Sequence, residues 1–212
     1  MSSADATAIN DGKRARAKAA NRQSILDAAR IVFARIGYEA TTIRDIIRQT
    51  DLAAGTFYNY FKSKEEVFEA LSNESTRRFR PVLRAVRETS SDFEGFIEGA
   101  YRAFFQFVAN ENHEAISHGG AHTAMLGIRV DTPEMKAIFD EIRNDIETML
   151  PKDLAPSLDT EYLTAAAIGI AREVADHMLQ RRPADVDGAT HFATTLMLSA
   201  MTGFFRNSDI AI

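Results

Sequence analysis

The chain has 212 residues, no cysteine, and a formal net charge of −5 from 25 Lys+Arg against 30 Asp+Glu. The length leaves room for one or two domains, and the lack of thiols excludes disulfide frameworks, Cys-zinc sites, iron–sulfur clusters and thiol nucleophiles. Residues 1–20 are polar and carry no apolar signal stretch, so a cytoplasmic protein is the default expectation, and the acidic balance of the whole argues against nucleic acid.

In chain order, the polar basic residues 1–20 read as a flexible arm. From residue 21, Ile25, Ala29, Phe33 and Ile36 trace one helical face, and Gly37 ends it. Thr41 and Thr42 offer a cap for a short second helix through Ile43, Ile46, Ile47 and Thr50. After the turn at Asp51-Leu52, a third helix is predicted over about Ala53 to Tyr60. Ser63 and Glu66 form a capping box that opens a longer fourth helix, which Pro81 should bend or end. Further helices are expected at about 92–110 and 113–128. Another fits 133–149, with Thr132 as cap and Pro133 at the first position. The last two fall at about 160–180, capped by Asp159, and 188–206, capped by Asp187. The expectation is all-α, with about nine helices.

The average charge hides an asymmetry. Residues 1–64 hold 11 Lys+Arg and 6 Asp+Glu, a net of +5, and the remainder carries −10. Lys13, Arg14, Arg16, Lys18 and Arg22 fall within ten residues. Such a run suits either a solvated arm or one that follows phosphates. Two short helices joined by a tight turn make a helix-turn-helix, whose second helix can enter a major groove. That helix opens with small residues, Ala53, Ala54, Gly55 and Thr56, which let its backbone approach base edges. Tyr58, Tyr60 and Lys64 supply hydroxyl and ammonium donors for phosphates. For either tyrosine, a buried core position is the alternative.

Residues 22–68 resemble the DNA-binding domain of the TetR/AcrR family of bacterial transcriptional repressors. The resemblance is carried by Arg22, Ile25-Leu26-Asp27-Ala28-Ala29, Phe33, Gly37-Tyr38, Thr41-Thr42, Gly55-Thr56-Phe57-Tyr58, Tyr60-Phe61 and Ser63-Lys64-Glu65. It implies that Thr42 bonds a phosphate and that Arg44 reaches a guanine edge. It further implies that Ala54, Gly55 and Thr56 face bases, and that Tyr58, Tyr60 and Lys64 clamp the backbone. In that context Lys13 and Arg14 are candidates for a minor-groove arm. Two positions depart from the family's pattern. Asp51 stands where Gly is usual, which a left-handed turn would tolerate at some cost. Ala53 stands where a Ser or Thr cap is usual, a loss worth about 1 kcal/mol.

The resemblance divides the chain into an arm (1–20), a helix-turn-helix domain (21–66) and an effector-binding and dimerisation domain (67–212). It implies a dimer bound to a palindromic double-stranded operator and released by a small-molecule effector. The last helix supports a dimer independently. Residues 188–205 contain no Asp, Glu, Lys or Arg, yet threonines, Ser199 and His191 dilute the stretch below a membrane span. A helix apolar nearly all round is buried on two sides, so about 160–180 and 188–206 are expected to pair with a second copy. A pair of helices buried inside one chain is the alternative.

Ligand-binding candidates are Phe104, Phe105, Glu114, His118, His122 and Met125. Glu114, His118 and His122 share a helix face at i, i+4 and i+8, provided Gly119-Gly120 does not break it. They could orient a ligand, bind a metal or be solvated, and no metal site is assigned. No catalytic residue or cofactor is assigned either, since no Gly-rich phosphate loop or nucleophile elbow occurs. An all-helical DNA-binding protein without an effector, with a solidly packed C-terminal core, remains the second reading. An enzyme using scattered His and Glu residues is the third.

Overall fold

The computed structural model describes residues 3–117, 132–152 and 158–208, and within them the backbone is entirely helix, turn and loop. Eight helices are present in chain order: α1 (Ser3–Ile36), α2 (Ile43–Arg48), α3 (Ala54–Phe57), α4 (Lys64–Thr89), α5 (Phe93–Ser117), α6 (Pro133–Met149), α7 (Thr160–Gln180) and α8 (Val186–Ser208). The all-α expectation holds.

Local chemistry explains most boundaries. Gly37 takes φ +80°, the left-handed conformation that glycine adopts freely, and its N–H reaches Phe33 O at 2.9 Å to close α1. Thr132 caps α6 with Pro133 in its first turn, and Asp159 caps α7 through the amides of Glu161 and Tyr162.

Several boundaries differ from expectation. The helix of α1 begins at Ser3, where a flexible arm was expected through residue 20. Residues 12–20 are all exposed, so alanine-rich helix propensity, and not packing, sustains that stretch. α4 runs through Pro81 without ending. Arg77 and Arg80 before the proline, and Arg87 after it, tie α4 to Glu134, Glu141 and Asp145 of α6. Phe79 and Leu83 are buried on either side of it. These contacts offset the roughly 3 kcal/mol a mid-helix proline costs. α5 is continuous through 110–113, where no glycine or proline interrupts it; the remainder of the expected 113–128 helix lies outside the described residues. α8 starts at Val186 and is capped by Asp185, whose carboxylate accepts the Gly188 N–H at 2.9 Å, and not by Asp187.

Two apolar clusters form. Ile25, Leu26, Phe33, Ile46, Phe57, Phe61, Val67, Phe68 and Leu71 make the first, from α1 to the start of α4. The second draws on α4 to α8, from Phe79 and Leu83 through Phe96, Phe105 and Ile146 to Met197. α4 belongs to both, so it is the beam that joins them. Gly99 permits close packing of α5 on this beam, because a Cβ there would meet Val86 Cγ1 at 2.8 Å.

Candidate nucleic-acid interface and ligand cavity

The first cluster holds α2 and α3 on a rigid base. Phe33, Tyr38 and Phe68 pack with ring centroids 4.9–6.0 Å apart, beneath the turn that leads to α2. Thr42 caps α2 reciprocally: its Oγ1 accepts the Asp45 N–H at 3.3 Å, and Asp45 Oδ2 accepts the Thr42 N–H at 3.0 Å. The Thr42 hydroxyl also donates to Asp45 Oδ2 at 2.6 Å. These bonds hold the Asp45 carboxyl below the usual carboxylate range. Thr42 is exposed, with its hydroxyl proton committed to Asp45.

The α2–α3 turn contains no left-handed residue; Gly37 is the position with positive φ among the described residues. Asp51 therefore bears no such strain. Thr50 makes the turn instead. Its hydroxyl donates to Ile47 O at 2.9 Å and accepts the Leu52 N–H at 3.2 Å. Ala53 is extended at the N-cap and offers no side-chain cap. α3 itself is a single turn, shorter than expected. The missing cap, Gly55 and β-branched Thr56 all weaken it. The chain continues as turns in which Tyr60 N and Phe61 N bond to Phe57 O.

On this frame, Arg44 lies in the first turn of α2, exposed and with no ion-pair partner among the described residues. Ala54 and Gly55 are exposed and Thr56 is half-buried. A Cβ on Gly55 would meet nothing within 4 Å, so the fold does not require glycine there. Tyr58 is 62% exposed, although its ring packs edge-on to Phe57. Tyr60 is half-buried against the first cluster, and its hydroxyl accepts from Asn21 Nδ2 at 3.3 Å. Of the two tyrosines, Tyr60 is partly a core residue and Tyr58 is not.

Lys64 is engaged inside the protein. Its Nζ donates to the carbonyls of Tyr38, Glu39 and Thr41 at 3.0–3.2 Å and sits 4.5 Å from the Tyr38 ring centroid. Three donors meet three acceptors, so the ammonium ties the α1–α2 connection to the start of α4. Tyr38 completes the latch by donating its hydroxyl to Glu65 at 3.1 Å. Burial, then this bond, pushes the Tyr38 hydroxyl up to about 12. The Ser63–Glu66 box is half-formed: Ser63 Oγ accepts from Glu66 N at 3.3 Å, while Glu66 Oε2 accepts from Lys62 N at 2.7 Å.

The second cluster borders a half-open cavity of about 970 Å3, lined mainly by α4, α5, α6 and α7. Phe79, Phe96, Tyr101, Phe104, Phe107, Ile138 and Ile146 supply much of its wall. Arg30 and Ala34 of α1 also reach it, so the cavity touches the helix-turn-helix unit directly. Arg30 pairs with Glu74 at 2.5 Å, and Arg78 with Glu111 at 2.5 Å. Ser75 adds a hydroxyl to Glu111 at 2.9 Å. These pairs make the polar end of a mostly apolar space. Tyr101 donates to Ala167 O at 3.3 Å, and burial raises its hydroxyl pKa.

Of the expected ligand contacts, Phe104 lines this cavity. Phe105 does not: it is fully buried and stacks on Tyr101 at 5.9 Å. The backbone of Glu114 falls in α5 but its side chain is outside the described set, and His118, His122 and Met125 lie outside the described residues. Among the described residues, no group of three or more His, Asp and Glu is placed to hold a metal, and no helix is long and apolar enough to cross a membrane. The α6 stripe Ile138, Ile142 and Ile146 lines the cavity, although it was not among the expected ligand contacts. Its i, i+4, i+8 spacing is visible in sequence but looks the same as ordinary core.

α7 and α8 carry an exposed apolar face. Tyr162 is 77%, Phe192 58% and Leu196 44% exposed. Met197, at 2%, and Met201 instead point into their own core.

A capped helix, a threonine-tied turn and a one-turn helix with small exposed residues define a helix-turn-helix DNA-binding protein. Residues 25–71 match the sequence profile described as "Bacterial regulatory proteins, tetR family". An HTH-type transcriptional regulator of Bacillus subtilis, YhgD, whose function is uncharacterised, is 31% identical over 148 residues, covering 68% of this chain and 76% of YhgD. The chain belongs to the tetR family of bacterial regulatory proteins. Three other curated relatives match over only 34%, 37% and 48% of their own lengths. Among solved structures, FadR of Bacillus subtilis in complex with stearoyl-CoA has a TM-score of 0.62 at 20% identity, covering 84% of this chain and 97% of FadR. RolR in complex with resorcinol has a TM-score of 0.58 at 20% identity, covering 88% and 89%. These likenesses establish the shared helical fold.

Proposed function

We propose that the protein is a homodimeric transcriptional repressor whose affinity for DNA is set by a large, mainly apolar small molecule in the 970 Å3 cavity. Residues 21–66 form the reading unit, and 67–212 form the effector-binding and dimerisation unit. Arg44, Ala54, Gly55 and Thr56 face the bases of a palindromic operator, while Tyr58 contacts a phosphate and Thr42 does so by turning its hydroxyl from Asp45 to the DNA. The observation that carries the proposal is the cavity's position: its wall includes α4, which begins at the reading unit, and Arg30 and Ala34 of α1. An occupant that moves either helix moves the head. Release then follows from different affinities of two conformations for effector and DNA.

The cavity favours this reading over a DNA-binding protein with a solidly packed core. Its size lies at the upper end of ligand pockets, and its wall is apolar with a few polar groups, the pattern of small-molecule sites. The same fold holds stearoyl-CoA in one neighbour and resorcinol in another, so the ligand class is argued from this cavity and not from the fold. The dimer forms through about 160–180 and 188–206, where Tyr162, Phe192 and Leu196 leave an apolar face uncovered.

Native mass spectrometry of the purified protein, followed by DNA titration with any retained molecule, tests the proposal. The expected result is a dimer carrying an apolar compound that weakens DNA binding when added back. A monomer, or a dimer whose DNA affinity no cavity-bound molecule changes, contradicts it.

A further inference from the structure

The family match begins at residue 25, yet α1 begins at Ser3. Residues 12–26 hold five cations, Lys13, Arg14, Arg16, Lys18 and Arg22, and no acidic residue. In the α4–α6 seam and at the foot of α1, by contrast, Arg30, Arg77, Arg80 and Arg87 all meet carboxylates. Lys13, Arg14, Arg16 and Lys18 are exposed and have no ion-pair partner among the described residues.

Helical spacing sorts the charges. Arg14, Lys18 and Arg22, four apart, form one stripe, while Lys13 and Arg16, three apart, lie near the opposite side. Repulsion along such a stripe weakens an isolated helix, so this helix is built to meet external anions. Its root is fixed beside the reading unit. Asn21 bonds the Tyr60 hydroxyl at 3.3 Å, and Arg22 sits over the Phe61 ring at 5.1 Å with Glu74 at 3.8 Å. The charges therefore leave the head next to the segment that follows α3.

We propose that residues 13–18 form a helical outrigger that contacts the DNA phosphate backbone beside each major-groove site and adds sequence-independent affinity. It rests on the DNA-binding reading above. DNA fits better than a membrane surface, because between Gly12 and Ala20 the residues other than cations are glycine and alanine. An interfacial helix needs a large apolar face.

Full-length wild type and a fourfold Lys13→Ala/Arg14→Ala/Arg16→Ala/Lys18→Ala variant are titrated with a mixed-sequence duplex at several salt concentrations. Removing one cation that neutralises a phosphate lowers the magnitude of the log–log salt slope by about 0.9. The variant should therefore show a slope smaller by at least about 2, and its non-specific affinity should fall at least about tenfold at low salt. A second variant that exchanges Arg for Lys at 14 and 16 should keep the wild-type slope. Thermal stability should not fall, because the replaced side chains are exposed and alanine favours the helix.

Wild-type binding with an unchanged slope in the fourfold variant overturns the outrigger and leaves the helix-turn-helix reading standing. Failure of wild type to bind any duplex overturns both. Binding of wild type, but not the variant, to phosphatidylserine–phosphatidylcholine vesicles more tightly than to the duplex overturns the choice of DNA as partner.

Discussion

The two halves of the molecule solve opposite packing problems with the same helices. The reading unit closes tightly around Phe33, Phe57 and Phe68, and polar latches at Thr42, Thr50 and Lys64 set each turn. The acidic bundle leaves about 970 Å3 open among Phe79, Phe104 and Ile138. A cavity forgoes dispersion contacts on every wall residue, so it is retained at a cost in stability. A DNA-reading surface needs fixed geometry, whereas a sensor needs a space whose filling changes the balance of conformations. Filling the cavity should also stabilise the fold, because a ligand that binds only the native state raises its apparent stability.

The largest expected effect separates the inside of α8 from its outside. Met197→Lys places a charge where the side chain is 2% exposed. It should destabilise the chain by more than about 4 kcal/mol, enough to unfold it in a thermal melt. Leu196→Glu, one residue away on the exposed face, should leave the fold intact and abolish the proposed dimer in sedimentation. Equal behaviour of the two variants would break the distinction between core and dimer face.

Next in size is Lys64→Met. It keeps the stem but removes three charged hydrogen bonds to Tyr38, Glu39 and Thr41. The reading unit should lose about 1.5–3 kcal/mol, measured as faster amide exchange in α2 and α3 with the bundle unaffected. A stable head with only a reduced salt slope would instead mark Lys64 as a phosphate contact.

Arg44→Ala should relax preference at one base position at a cost of about 1–3 kcal/mol, with the fold intact. Gly55→Ala sharpens the same point. Nothing in the protein opposes a Cβ there, so stability should hold or rise slightly while specific DNA binding falls. Parallel melting curves and DNA titrations would check both.

The smallest effect belongs to the α4–α6 seam. Arg77 beside Glu134 and Arg80 beside Glu141 hold both carboxyls below their usual range. Groups with depressed pKa contribute fully above the ordinary glutamate value of about 4.3 and lose that contribution as pH falls through the depressed values. Melting temperature should therefore fall more steeply on acidification in wild type than in a Glu134→Gln/Glu141→Gln variant.

The sequence showed the reading unit well and the bundle poorly, for physical reasons. Caps and turns are local: Thr42, Ser63, Thr132 and Asp159 announce helix starts within three residues, and Gly37 announces a stop. Where competing local signals sit together, tertiary packing decides. Pro81 failed to end α4 because α6 grips both sides of it, and Asp185 displaced Asp187 as a cap. Lys64 is expected from sequence to meet a phosphate, and no sequence pattern reveals the three carbonyls of the preceding loop that it also engages. Phe104 and Phe105 are adjacent and chemically alike, yet one lines the cavity and the other fills the core. Helical phase against distant partners separates them, and that is not written in local spacing.

The central claim is that two copies present their α2–α3 units to successive major grooves. Selection of full-length protein on a pool of random duplexes, followed by sequencing of the retained DNA, tests it most directly. The account predicts an enriched twofold-symmetric site, with half-site centres about 34–36 Å apart or a larger whole number of helical turns. Enrichment of a lone half-site, or of no sequence at all, would contradict it.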